Sequence, residues 1–175
     1  AETTEPDSAG KGLWMLDLDA LEAGWHELTS LPGLSRIKAT SAVQSAGSSK
    51  QYLYIFGGVH VTRAETGELV YNHLSDVYRF DPAALEGGGG WEQMADLPNP
   101  LAAATAIDVG QSHVLVFSGS SGRHIHKPME QRPLFSPDVI AYHTITNTWV
   151  KFGTMPQGVV TTRAVVPCGA GASAP

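Results

Sequence analysis

The sequence predicts an all-β fold of repeated four-stranded antiparallel units. Three observations carry that prediction. Short apolar-alternating runs are bounded by turn residues, with Gly 19 and Pro 11 in 175 residues. Helical periodicity is weak, and "PAALEGG" (82–88) is one turn at most. The chain also repeats itself. "WMLDLDALEAGWHELTSLP" (14–32), "DVYRFDPAALEGGGGWEQMADLP" (76–98) and "DVIAYHTITNTWVKFGTMP" (138–156) each hold an alternating strand, a turn, a tryptophan opening a second strand, and Leu-Pro or Met-Pro. Aligned this way, Leu18, Phe80 and Tyr142 are equivalent, as are Trp25, Trp91 and Trp149.

A further pair of strands precedes two of these segments: "RIKATSAVQSAGSSKQYLYIFGG" (36–58) and "LAAATAIDVGQSHVLVFSGSSG" (101–122). Phe56 matches Phe117, and Gly57-Gly58 matches Ser118-Gly119. A unit of about 60 residues with four short strands is the pattern of a propeller blade. The glycine pair ends a strand where the backbone must turn sharply and pass close to other chain without Cβ atoms.

An apolar strand running to Gly-Gly, a long loop, "DVYRFDP", a Trp and then "LP" resembles the kelch repeat. The resemblance implies a kelch-type β-propeller seen in part. It assigns 1–12 to a polar leader, 13–33 to the last two strands of a blade, 34–98 and 99–157 to two whole blades, and 158–175 to the first strand of a next blade with a Gly/Ala-rich tail. "GQSHVLVFSG" and "AYHTITNTW" are further similar to the bacterial cyclically permuted mutarotase family, which includes the N-acetylneuraminate epimerases. That family implies a six-bladed ring and a sugar or sialic-acid ligand. Two and a half blades do not close a ring, so a piece of a longer propeller is expected, with the remaining blades as its partner. Assembly of copies of the chain into a ring is the alternative.

Composition narrows the function classes. A net charge of −6 without a basic run argues against nucleic acid or an anionic membrane as partner. No apolar run approaches the ~20 residues of a membrane span. The single cysteine, Cys168, allows no intrachain disulfide and does not discriminate between compartments. The family resemblance implies a periplasmic or secreted protein; without it the cytoplasm is the default. No motif calls for a metal or another cofactor. His124 and His126 in "HIH" share one side of an extended segment but lack third and fourth ligands at motif spacing.

Function on a rigid β scaffold gathers at strand ends and loops. Two stretches read as long loops, 59–75 after Gly57-Gly58 and 121–137 in the equivalent place. With the strands that enter each blade they bring forward Arg36, Arg63, Glu65, Asn72, His73, Arg123, His124 and Arg163 as ligand-binding candidates. Arginine forks and amides suit carboxylates and sugar hydroxyls. The kelch resemblance places an arginine at the pocket mouth where Arg36 stands. For each of these residues the competing reading is a solvated loop.

Other residues read as structural. The tryptophans recur at one blade position and are expected to pack blade on blade. Asp19 and Asp81 open turns. His113 reads as a core or turn residue. The family resemblance implies ring opening at an anomeric carbon, with a base on the hydroxyl proton and an acid at the ring oxygen. At the second-strand end, where such an acid is sought, the sequence reads "SGSSG" (118–122); Glu65, Glu68 and Glu130 lie in the loops without a matching position. Catalytic residues are therefore not assigned. A non-catalytic kelch module that binds protein or carbohydrate through its loop face is the alternative function.

Overall fold

The computed structural model describes residues 9–87, 90–124, 126–132 and 135–162. It contains ten strands: β1 (Trp14–Leu16), β2 (Trp25–Glu27), β3 (Thr40–Ser45), β4 (Gln51–Arg63), β5 (Leu69–Phe80), β6 (Trp91–Met94), β7 (Thr105–Val109), β8 (His113–Phe117), β9 (Asp138–His143) and β10 (Thr148–Thr154). They form a two-stranded hairpin, β1-β2, and two four-stranded antiparallel sheets, β3-β4-β5-β6 and β7-β8-β9-β10. Segments of 3-10 helix lie at Leu21–Ala23, Pro82–Gly87 and Met129–Gln131, and the second, at 6 residues, is about two turns where the sequence predicts one at most. Among the described residues no helix is long and apolar enough to cross a membrane.

The two sheets pack face to face, each contributing one side of the core. Tyr54, Phe56, Val77, Met94 and Leu97 from the first sheet meet Val114, Val116 and Tyr142 from the second, with Trp149 packed against them. Phe56 meets Tyr142 and Trp149 edge to face, at 6.1 Å and 5.7 Å between ring centroids. Strand alternation explains the division. Tyr54 and Phe56 point toward the second sheet, while Leu53 and Ile55 alternate to the other face of β4, where Ile55 borders a cavity with Leu13 and Leu31.

Hydrogen bonds between successive units recur at equivalent positions. Trp91 Nε1 donates to Thr29 O at 3.0 Å, and Trp149 Nε1 to Ala95 O at 2.9 Å. Both acceptors lie three residues before the Pro of the preceding unit. Ala103 N–H donates to Lys38 O, and Thr161 N–H to Ala103 O, each at 2.9 Å. These three residues share a left-handed backbone, φ 55° at Lys38, 54° at Ala103 and 52° at Thr161. Gly58 N–H reaches Leu101 O at 2.8 Å, and Gly119 N–H reaches Val159 O at 3.2 Å. The hydroxyl of Thr40 donates to Ala104 O at 3.0 Å, and that of Thr105 to Thr162 O at 2.6 Å. One interface is thus built twice, as expected of a repeat array whose units contact only their neighbours.

Two expectations are corrected. The 59–75 stretch is not a loop. β4 and β5 continue as a hairpin, pairing Val59 with His73 out to Arg63 with Leu69, after a bulge between Phe56 and Gly58. Val59, Val61 and Leu69 bury one face of it against Ala102 and Ile37, so the alternation of "VHVTR" is a strand signal. The residue matching Phe80 and Tyr142 is Leu16, which pairs with Trp25 as Phe80 pairs with Trp91 and Tyr142 with Trp149. Leu18 instead lies in the following turn, 77% exposed. The turns before the three tryptophans differ in length, and counting residues across them shifts the alignment.

Candidate functional site

The segments entering each sheet lie against the ends of the second strands. An isolated bridge joins Ile37 to Val59, and another joins Ala102 to Ser120. Residues 34–39, 99–104 and 118–123 therefore share one rim with the β4-β5 hairpin, and most of the sequence candidates are there.

Arg36 is buried and its fork is occupied. Nη1 and Nη2 each hold an Asp76 carboxylate oxygen at 2.7 Å. Nη1 also donates to Gly57 O at 3.0 Å, and the guanidinium lies over the Tyr78 ring at 5.4 Å. His73 packs on Gly122, where a Cβ would meet the imidazole ring. Its Nε2 lies 3.5 Å from Ser120 Oγ. Burial lowers the His73 pKa from its ordinary value of 6.5; a main-chain hydrogen bond at Tyr71 opposes the shift and the Lys38 charge adds to it. Arg123 Nη2 donates to Asn99 Oδ1. His124 is half-buried, with Nδ1 lacking a hydrogen-bond partner among the described residues.

Arg63, Glu65 and Asn72 lie farther out. Arg63 Nη1 donates to Gly67 O across the hairpin tip, and Asn72 Nδ2 donates to Thr62 Oγ1 at 3.4 Å. Glu65 is exposed in the tip itself. At about 3.3 Å per residue the tip stands roughly 13 Å beyond the Val59–His73 pair. Arg63 and Glu65 are thus separated from the His73–Arg123 group, while Asn72, next to His73 in β5, lies on the opposite face of the hairpin. Arg163 lies outside the described residues, as does Cys168. Among the described residues no group of three or more His, Cys, Asp or Glu is placed to hold a metal ion.

A cleft of about 180 Å³ opens between the 98–101 linker and the ends of β8 and β9. Its lining includes the polar Asn99, Ser121, Arg123, Ser136 and Asp138 and the aliphatic Leu101 and Ile140. Its lining differs from that of the first junction. Asp138 is the counterpart of Asp76, Ile140 of Tyr78 and Leu101 of Arg36. In the first junction the guanidinium is bound to Asp76 and borders an apolar cavity of about 170 Å³ lined by Leu13, Leu31, Ile55 and Trp91; in the second an aliphatic side chain takes its place and Asp138 has no arginine partner among the described residues. Lys151 Nζ, 2.7 Å from Asp138 Oδ1, holds that carboxyl below the usual carboxylate range and keeps it ionised. Asp138 and Asn99 were not among the sequence candidates. The signal was the Asp76/Asp138 match, but an acid was sought at the second-strand end instead of the third-strand start.

This chain carries two blades of a β-propeller. Its fold superposes on YjhT with a TM-score of 0.58 at 20% identity, over 85% of this chain and 46% of that one. In sequence it is 32% identical to an N-acetylneuraminate epimerase of Yersinia pestis (strain Pestoides F) over 174 residues, covering 85% of this chain and 42% of the relative. A second epimerase of that description, from Vibrio cholerae serotype O1, is 31% identical over 113 residues, covering 64% of this chain and 27% of its own length. The chain thus spans less than half the length of the curated relatives it matches. No protein-family model matches it.

Proposed function

We propose that these blades belong to a kelch-type, six-bladed propeller acting on a carboxylated sugar of the N-acetylneuraminate kind, and that the cleft between them holds part of that ligand. The lining of the cleft carries the reading: Leu101 stands where Arg36 binds Asp76 in the first blade, and Asn99, Arg123 and an ionised Asp138 line the space beside it. The epimerase relatives supply the substrate class.

The chemistry follows from the groups present. Arg123 and the Asn99 amide suit a sugar carboxylate. Asp138, kept ionised by Lys151, accepts a hydroxyl proton rather than donating one. His73, held neutral at pH 7, accepts or relays a proton on the same rim. Interconversion of anomers needs a base at the anomeric hydroxyl and an acid at the ring oxygen, and Asp138 is the group suited to the first role.

The test is NMR of α-to-β interconversion of N-acetylneuraminate with and without the protein. Acceleration over buffer, lost in Arg123→Ala and Asp138→Asn, is expected. A buffer-level rate with folded protein, and no ligand shift at Asn99 or Arg123, overturns the reading. Binding without acceleration returns the choice to the non-catalytic module.

A further inference from the structure

The segments that enter the blades share a main-chain device. Lys38 O accepts from Ala103 N–H, Ala103 O accepts from Thr161 N–H, and all three residues are left-handed. Alanine and threonine at two of the three positions show that the fold demands the conformation and not the lysine. Lys38 is exposed and its ammonium forms no ion pair among the described residues, whereas Arg36, Lys50, Arg79 and Lys151 each bind a carboxylate. In a chain of net charge −6, a cation without an acid partner is available to an outside anion. Register sets its place. Ile37 bridges to Val59, and Val59 pairs with His73, so Lys38 stands one residue from the row that carries the imidazole. The groups that face this ring are Lys38 from the entering segment, the Tyr71 main chain from β5, and Ser120 and Gly122 from the second blade. Gly122 precedes Arg123. Two cations from different blades, Lys38 and Arg123, thus adjoin one histidine.

We propose that Lys38 is a further ligand-binding residue of this site, and that it and Arg123 together receive the carboxylate of a sugar acid beside His73. The inference rests on the proposed function for its ligand class and adds the residue that selects the acid over a neutral sugar. An ammonium is a point charge on a flexible stem, suited to an anion whose fixed contacts come from the Arg123 fork and the Asn99 amide. The contact also has a consequence at the histidine. In the free protein the Lys38 charge opposes protonation of the ring. A bound carboxylate offsets that charge, so ligand binding and His73 protonation favour each other.

The experiment is an NMR titration of the full-length protein and its Lys38→Gln variant, reading ligand affinity and the His73 ring. The probes are N-acetylneuraminate, its methyl ester and pyruvate. Lys38 is exposed, so the variant is expected to fold as the parent does. The parent should bind the acid about tenfold more tightly than the ester, and Lys38→Gln should weaken the acid about tenfold and leave the ester within about twofold. The His73 midpoint should rise when the acid binds the parent. It should already be raised in free Lys38→Gln, where the acid moves it less. Pyruvate separates this proposal from the substrate reading. If N-acetylneuraminate does not bind but pyruvate raises the His73 midpoint in the parent and not in Lys38→Gln, the carboxylate site stands and the sugar reading fails. Equal affinity for the acid in parent and variant, equal losses for acid and ester, or a His73 midpoint that no carboxylate moves overturns the proposal.

Discussion

Ser118 occupies in the second blade the position of Gly57 in the first, and both are left-handed, φ 56° and 52°. They solve one problem in two ways. In the first blade Leu101 N–H donates directly to Leu74 O at 3.0 Å, across a glycine with no room for a Cβ. In the second, Val159 N–H donates to Ser118 Oγ at 2.7 Å, and that hydroxyl donates to Ser136 O at 2.6 Å. The hydroxyl bridges where main chain met main chain. Ser118→Ala leaves the part-buried Val159 N–H without its acceptor and should cost about 1 kcal/mol or more. Gly57→Ala strains the backbone by more than about 1 kcal/mol and presses a methyl on Leu101 O as well, so it should cost more than Ser118→Ala. Urea unfolding of the pair measures both; a reversed order would refute the bridge.

Breaking the Arg36–Asp76 pair should destabilise the first junction. Arg36→Met leaves the Asp76 carboxylate and Gly57 O without the fork. Removal of one partner of a buried pair costs about 3–5 kcal/mol, and Asp76, 21% exposed, sets the lower end. Arg36→Lys should recover little of it, because an ammonium does not hold two carboxylate oxygens and a carbonyl in one plane. Thermal unfolding of both variants checks the expectation.

Leu101→Arg should engage Asp138 and occupy part of the cleft. The new guanidinium has Asp138 before it, as Arg36 has Asp76. Ligand binding at Arg123 should fall about tenfold or more, with stability held within about 1 kcal/mol. Titration with N-acetylneuraminate reads the first and denaturant midpoints the second. Unchanged binding would move the ligand elsewhere.

His73 sets an expected pH dependence. Its pKa is lowered on folding, so the unfolded chain binds more protons and stability rises with pH through that range. The contribution is complete above the ordinary value of 6.5 and is lost as pH falls through the folded pKa. Melting temperature should therefore drop on acidification below that point, and His73→Asn should flatten the slope. A midpoint for the His73 ring above 6.5 in an NMR titration would reverse the sign.

Strand alternation, the Gly-Gly and Ser-Gly strand ends, the tryptophans and the Leu-Pro or Met-Pro marks made the blades legible in the sequence, because each answers a local backbone or packing demand. The hairpin beyond Gly58 was misread as a loop, since its polar face is all that composition shows until Val59, Val61 and Leu69 find Ala102. The site was legible only as a rim. A list of polar residues cannot tell that Arg36 is bound to a carboxylate 40 positions away while Asp138, the matching acid, lines a cleft beside Leu101. The sequence by itself determined the repeat and therefore the fold. Tertiary structure decided which acid is bound by an arginine and which lines a polar cleft, because that difference is set by contacts between residues far apart in the chain.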